Sequence, residues 1–208
     1  MKFFKLSTAL IMLAMITVFN TNTNSQTSSL GIESGLNLAN MSLTPNFTTS
    51  SRTGLMVGGF ADIGISRIVS IRPGLRYVMK GFSTTGNGVT FNEKLSYLEL
   101  PMLIKASIPL NHVKPFFAAG PTLGIQLSAS EEITNGGQVV QTNDAGTSWE
   151  TIDFGLYFGS GLDFHVADNI DVFAGFGYTL GLTNVSKIQG IESKNNGIQV
   201  TSGVKFDL

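Results

Sequence analysis

The sequence contains no cysteine and few charged residues. The absence of cysteine from all 208 residues excludes disulfide bonds, thiol catalysis, zinc–thiolate sites and lipid attachment through an N-terminal cysteine. Charged side chains make up 13% of the chain, about half the usual share of a globular domain. Because a soluble surface needs charge, this composition predicts a protein whose outer surface is largely hidden from water. The net charge of −1 gives no basic bias, so we expect no nucleic-acid partner.

Residues 1–25 have the features of a cleavable signal peptide. Lys2 and Lys5 supply a positive start, and an apolar run follows over residues 6–19. A helix that crosses a bilayer needs about 20 residues, so this run is too short, and an N-terminal membrane anchor is the less favoured alternative. We predict a Sec-exported precursor that is cleaved after this segment, leaving one mature domain over residues 26–208.

In the mature chain, apolar and polar residues alternate with period two, which is the signature of half-buried strands. No apolar run there is long enough for a transmembrane helix, whereas each alternating segment is about as long as a tilted transmembrane strand. Eight segments show the pattern: 30–38, 54–65, 69–81, 97–108, 113–127, 152–166, 170–182 and 198–208.

The connections between the segments are alternately short and long. Short periplasmic turns and long external loops are typical of outer-membrane barrels. The pattern predicts an all-β fold: an eight-stranded antiparallel up-and-down transmembrane β-barrel with both termini in the periplasm. The predicted turns are 66–68, 109–112 and 167–169, and the predicted loops are 39–53, 82–96, 128–151 and 183–197.

The position of the charges distinguishes a membrane barrel from a soluble one. A soluble lipocalin-like barrel places its apolar face inside and its charges outside. Here the charged strand residues share one face with most of the glycines, and the opposite face carries no charge in any of the eight segments. Charge against lipid near the bilayer centre costs about 2–4 kcal/mol for Lys or Arg. The charge-free face is therefore predicted to meet the lipid of a Gram-negative outer membrane.

The inward charges form the main candidate site. Counting across the first short turn places Asp62 opposite Arg72, and Arg76 and Lys80 follow on the same face. Unpaired charge in a narrow interior is costly, so we expect salt bridges that fill the lumen. A gate or narrow ion path is the alternative role. The predicted lumen charge cluster is Asp62, Arg72, Arg76, Lys80, Glu99, Lys105, Asp153 and Asp163.

Two further sets of residues are candidates at the barrel ends. His165 is predicted to face Asp171 across a turn at the periplasmic end, closing the barrel there. Catalytic sites of outer-membrane enzymes lie at the outer rim, so no catalytic residue is proposed. No metal ligand set or cofactor motif is evident. The predicted contact surface is the longest loop, 128–151, through Glu131, Glu132, Asp144 and Trp149.

The central strands also resemble a known family. The segments GLRYVMKGF (74–82), SYLELPMLIK (96–105) and PFFAAGPTLGI (115–125) are similar to the Bacteroidetes-type outer membrane β-barrel domain called the "porin family". The resemblance implies a fold similar to the small OmpA- and OmpX-like barrels and no enzymatic activity. A wide pore is not implied, because eight strands leave little room inside.

These observations predict a small integral outer-membrane barrel with a filled lumen and a structural or interaction role. A narrow channel for ions or small solutes is the alternative, and an outer-membrane enzyme is disfavoured. The expected partners are outer-membrane lipid and lipopolysaccharide, with the barrel assembly machinery during biogenesis. We expect a monomer, and the sequence does not identify an extracellular partner.

Overall fold

The computed structural model describes residues 28–45, 48–86, 88–110 and 112–208. The predicted signal peptide, 1–25, lies outside these residues. Among the described residues, no helix is long or apolar enough to cross a lipid bilayer. The described chain consists of nine strands and one 3-10 turn. The strands are β1 (Ser28–Thr44), β2 (Ser50–Gly64), β3 (Val69–Gly86), β4 (Val89–Ser107), β5 (Val113–Asn135), β6 (Gln138–Asp144), β7 (Ile152–Ala167), β8 (Ile170–Gly181) and β9 (Glu192–Asp207).

Eight of the nine strands close into a ring. Each strand pairs antiparallel with its neighbours in the order β1, β2, β3, β4, β5, β7, β8, β9, and β9 pairs again with β1. Closure removes the exposed edges that an open sheet would present to lipid, where backbone groups have no water to bond. The predicted eight-stranded antiparallel barrel is therefore confirmed.

The outward face is apolar and the inward face is polar, as the alternation predicts. Met102 and Ile104 on β4 are more than half exposed. Leu103 and Lys105, which alternate with them along the strand, are buried. The same alternation runs around the ring, from Leu30 and Ile32 on β1 onward. The exposed apolar row is the predicted lipid face.

The predicted loops are wrong in extent, because strands continue through most of them. β3 and β4 run on to Gly86 and Val89 and pair with each other there, so the predicted loop 82–96 is a long hairpin. The predicted loop 128–151 is largely the end of β5 paired with β6. A strand needs only about 9–11 residues to cross the membrane, so these extensions stand outside it.

These extensions escape a search for regular apolar alternation because polar residues occur on both of their faces. Thr85 and Thr90 face each other and share a hydrogen bond of 3.0 Å between their hydroxyls. Cross-strand threonine pairs of this kind stabilise a sheet in water without an apolar face. The sequence at 86–88 is Gly-Asn-Gly, and Asn-Gly between two strands is a strong hairpin signal.

Candidate functional site: a filled lumen beneath an extracellular sheet

The interior of the barrel is lined by charged side chains in equal numbers of each sign. Within the described residues, five buried acids face five buried bases. Equal numbers allow every charge to find a partner, which a narrow interior requires because an isolated buried charge is very costly. The acids are Asp62, Glu99, Asp153, Asp163 and Asp171, and the bases are Arg72, Arg76, Lys80, Lys105 and Lys205.

The upper lumen cluster consists of Arg76, Glu99, Lys80 and Asp153. Glu99 is fully buried and accepts hydrogen bonds from Arg76 Nε at 2.8 Å and Nη2 at 2.5 Å. Its other oxygen lies 2.8 Å from Lys80 Nζ, which in turn lies 3.0 Å from Asp153. Adjacent strands place Glu99 directly opposite Arg76. The cluster therefore crosses the lumen from β3 and β4 to β7.

The lower lumen cluster consists of Asp62, Arg72, Lys105, Asp163, Lys205 and Asp171. Arg72 holds Asp62 in a bidentate contact, with Nε–Oδ1 at 2.5 Å and Nη2–Oδ2 at 2.6 Å. Asp163 accepts from both Lys105 and Lys205, each at 2.7 Å. These bonds join β2, β3, β4, β7 and β9, so the cluster ties together strands that do not pair with each other.

An apolar waist fills the space where the two clusters meet. The guanidinium of Arg72 lies 4.1 Å from the centre of the Phe60 ring, and Phe60 packs edge-on against Phe173. Arginine stacks well on aromatic faces, so the waist also stabilises the charge beside it. The cavity left between Arg72 and Arg76 is only about 20 Å³, room for about one water molecule. The waist is formed by Phe60, Leu103, Phe116, Ala118, Tyr157 and Phe173.

Glycine makes room for the largest ring of the waist. Gly159 and Gly177 lie under Tyr157, where a Cβ at either position would collide with the phenol. The inward glycines of the sequence are therefore explained here by close packing against an aromatic side chain.

A second apolar cluster, the extracellular lid, closes the barrel above the upper lumen cluster. Trp149 is 5% exposed and Tyr97 is fully buried in it. The segment around Trp149 is held by backbone bonds, Glu150 N to Val185 O at 2.8 Å and Lys187 N to Ser148 O at 2.9 Å. The lid consists of Met41, Leu95, Tyr97, Ala129, Trp149 and Val185.

The structure places all eight predicted lumen residues inside the barrel and in contact with an opposite charge. Sequence reasoning did not include Lys205 or Glu33 in this set. Lys205 alternates with Val204 and Phe206, so strand parity alone could have placed it inside. Glu33 lies 3.7 Å from Arg76. It follows the outward-facing Ile32 on β1, so strand parity predicts that its side chain points inward.

At the end of the barrel predicted to face the periplasm, His165 is directly opposite Asp171, and His165 Nδ1 lies 2.9 Å from Asp171 Oδ1. Asp171 also contacts Lys114 at 3.3 Å and Lys205 at 3.5 Å. The histidine therefore contacts a carboxylate that two lysines also approach at the mouth of the barrel. His112 is exposed in the neighbouring turn.

The four predicted extracellular contact residues differ in their surroundings. Trp149 is buried in the lid, because its ring packs against the barrel interior, and it presents little surface to a partner. Glu132 pairs with Lys94, while Glu131 accepts from Asn143 at 3.3 Å. Only Asp144 is exposed.

β6 gives the extracellular end a free strand edge. Within the described residues it pairs on one side only, with β5. All but one of its residues are exposed, including the adjacent apolar pair Val139 and Val140. Natural edge strands are usually blocked by lysine, proline or a bulge. β6 carries neither lysine nor proline, and its pairing with β5 shifts register at Val140.

Comparison with known proteins agrees with this architecture. A family model described as "Outer membrane protein beta-barrel domain" matches residues 22–187. A search among curated proteins gives no match.

Three solved structures are similar to this chain at low sequence identity. Neisserial surface protein A (NspA) is 16% identical, with a TM-score of 0.52 over 86% of this chain and 96% of that one. A major outer membrane protein from Thermus thermophilus is 11% identical, with a TM-score of 0.48 over 87% and 99%. The N-terminal β-barrel domain of Pseudomonas aeruginosa OprF is 14% identical, with a TM-score of 0.42 over 86% and 97%. At 16% identity the likeness to NspA concerns the fold alone.

Proposed function

This chain belongs to the family of outer membrane β-barrel domains, and from that premise we propose that it is a closed membrane anchor that displays an extracellular sheet for protein binding. The observation that carries the proposal is the filled lumen. Paired charges and the apolar waist leave space for about one water molecule between Arg72 and Arg76, which favours a closed lumen over the narrow-channel alternative. The surfaces available for function are then the two ends.

The extracellular end offers the better binding surface. The exposed edge of β6 carries unpaired backbone groups, which can bind an extended polypeptide as an added strand. Val139 and Val140, which lies at the register shift between β5 and β6, are exposed and would provide apolar contacts for that strand. Asp144 and Glu131 give this hairpin an acidic character, which favours a partner segment with basic residues. Lipopolysaccharide around the barrel and a Bacteroidetes-type origin remain predictions.

The proposal assigns a structural role to the His165–Asp171 contact. Asp171 is shared by two lysines and the histidine, an arrangement that closes the periplasmic mouth with ion pairs. The enzyme alternative would need a substrate site around His165 at this end, whereas lipid and external substrates reach the opposite rim.

Blocking the edge of β6 tests the binding role. The probe is a synthetic peptide of alternating valine and threonine with lysine at both ends, measured against the mature protein in nanodiscs. Val140→Lys is expected to weaken binding at least about tenfold, because lysine on an edge opposes strand addition. Thr147→Lys is the matched control, since it adds the same charge on the exposed 3-10 turn without touching β6.

The control separates strand addition from simple charge attraction. We expect Thr147→Lys to bind the peptide within about twofold of the unmodified protein, as for a rim charge. Equal loss in both variants, or unchanged binding in Val140→Lys, would contradict the proposed role of the β6 edge.

A further inference from the structure

Two glutamates lie face to face in the extracellular sheet. Glu93 of β4 is directly opposite Glu131 of β5 in the strand register. The outward apolar row of β4 ends at Leu98, and Ser96 and Lys94 follow it on the way to the hairpin. The pair therefore lies beyond the membrane-spanning part of the barrel, in the sheet that leads to β6.

The nearby cations are engaged elsewhere. Lys94 forms an ion pair with Glu132 on the neighbouring position of β5, and Arg52 of β2 also interacts with Glu132. On β3, the residue opposite Glu93 is Phe82, which packs against the lid.

Among the described residues, the other groups near Glu93 and Glu131 are neutral or acidic, so they supply no positive charge to the two carboxylates. Asn143 of β6 donates to Glu131 Oε1 at 3.3 Å, and Asp144 and Glu150 are exposed acids. The Trp149 side chain interacts with Glu93, and its Nε1 is buried without a close hydrogen-bond partner among the described residues.

The environment of Glu93 favours its protonated form. One carboxylate oxygen, Oε2, is buried with no hydrogen-bond partner in the described part of the chain. Burial and the charge of Glu131 raise the pKa of Glu93 to about 7, although the interaction with Trp149 acts in the opposite direction. A proton on Glu93 also allows a hydrogen bond to Glu131, as in other carboxyl pairs that share a site.

The direction of the pH effect follows from this raised pKa. The ordinary value is 4.5, so between that value and about pH 7 the folded sheet holds a proton that the unfolded chain does not. Glu93 therefore stabilises the sheet fully below pH 4.5, and this contribution is lost as the pH rises through 7.

We propose that Glu93 and Glu131 form an acid-responsive latch that holds β4 to β5 when one proton is shared between them and loosens the extracellular sheet when both are ionised. The latch acts on β5, the strand with which β6 pairs. Its effect on a protein partner rests on the proposed function, whereas the latch itself can be measured without a partner.

The chain provides its own probe, because Trp149 is the only tryptophan and it interacts with Glu93. In the mature protein in nanodiscs, tryptophan fluorescence is expected to titrate with a midpoint near pH 7. Glu93→Gln should abolish the transition, since the amide is uncharged at every pH. Glu131→Gln should lower the midpoint by about one pH unit or more, because it removes the neighbouring charge.

Glu192→Gln is the matched control, since it removes an exposed acid at the same end of the barrel, on β9, and leaves Lys94 paired with Glu132. It should keep a midpoint near that of the unmodified protein. Amide hydrogen exchange in residues 89–95, corrected for its intrinsic pH dependence, should be several-fold slower at pH 6 than at pH 8. A flat signal in the unmodified protein, or a transition that persists in Glu93→Gln, would overturn the latch. Because no peptide is present, either outcome leaves the β6 binding experiment to be judged separately.

Discussion

Glu99→Gln is expected to lower the free energy of unfolding by about 3–5 kcal/mol. Glu99 is fully buried and is the shared partner of Arg76 and Lys80. The glutamine has nearly the same shape but no charge, so Arg76 and Lys80 would keep only their more distant acids, Glu33 and Asp153. Burying a charge without its partner is far more costly than losing an exposed ion pair. The measurement is denaturant unfolding of the barrel in lipid vesicles.

The matched control is Glu132→Gln, the same substitution in the Lys94 ion pair outside the membrane. Both side chains of that pair are partly exposed, so its loss should cost less than about 1 kcal/mol. Equal effects of the two substitutions would mean that Glu99 is not in a closed, dry lumen.

Met102→Lys is expected to cost about 2–4 kcal/mol. Met102 is 53% exposed and lies near the middle of the outward apolar row of β4, which we assign to the bilayer centre. An exposed residue in water accepts lysine at little cost, whereas one that meets lipid does not. The same unfolding experiment in vesicles measures the difference.

Val140→Lys provides the comparison in water. Val140 is 61% exposed on β6, so it is at least as accessible as Met102 but lies outside the membrane. We expect a change within about 0.5 kcal/mol for this surface substitution. A cost at Met102 no larger than that at Val140 would contradict the assignment of the outward row to lipid.

Strand parity allowed most of the barrel to be predicted from the sequence. Along β4, the alternation of Leu98, Leu100 and Met102 with Glu99 sets which side chains point inward, and short turns such as 167–169 set the register. His165 could be counted opposite Asp171 for that reason. Lipid enforces this pattern strongly, because a single charge on the wrong face is costly.

The extracellular end was less predictable because water imposes no such pattern. β6 and the ends of β3, β4 and β5 have polar residues on both faces, so their strands depend on pairing and turn geometry. Trp149 illustrates the difference: its position in a polar segment suggested an exposed contact residue, whereas long-range packing against Tyr97 and Met41 buries it.

The most direct test of the central claim, a lumen closed by paired charges and an apolar waist, is conductance of the mature protein in planar bilayers. We predict no discrete openings for the unmodified barrel, because the interior between Arg72 and Arg76 holds only about 20 Å³. Arg76→Gln should introduce leak, because it removes one of the two cations that hold Glu99. Arg67→Gln, at an exposed turn residue, should not. Stable, discrete openings of the unmodified protein would contradict the filled lumen and restore the narrow-channel alternative.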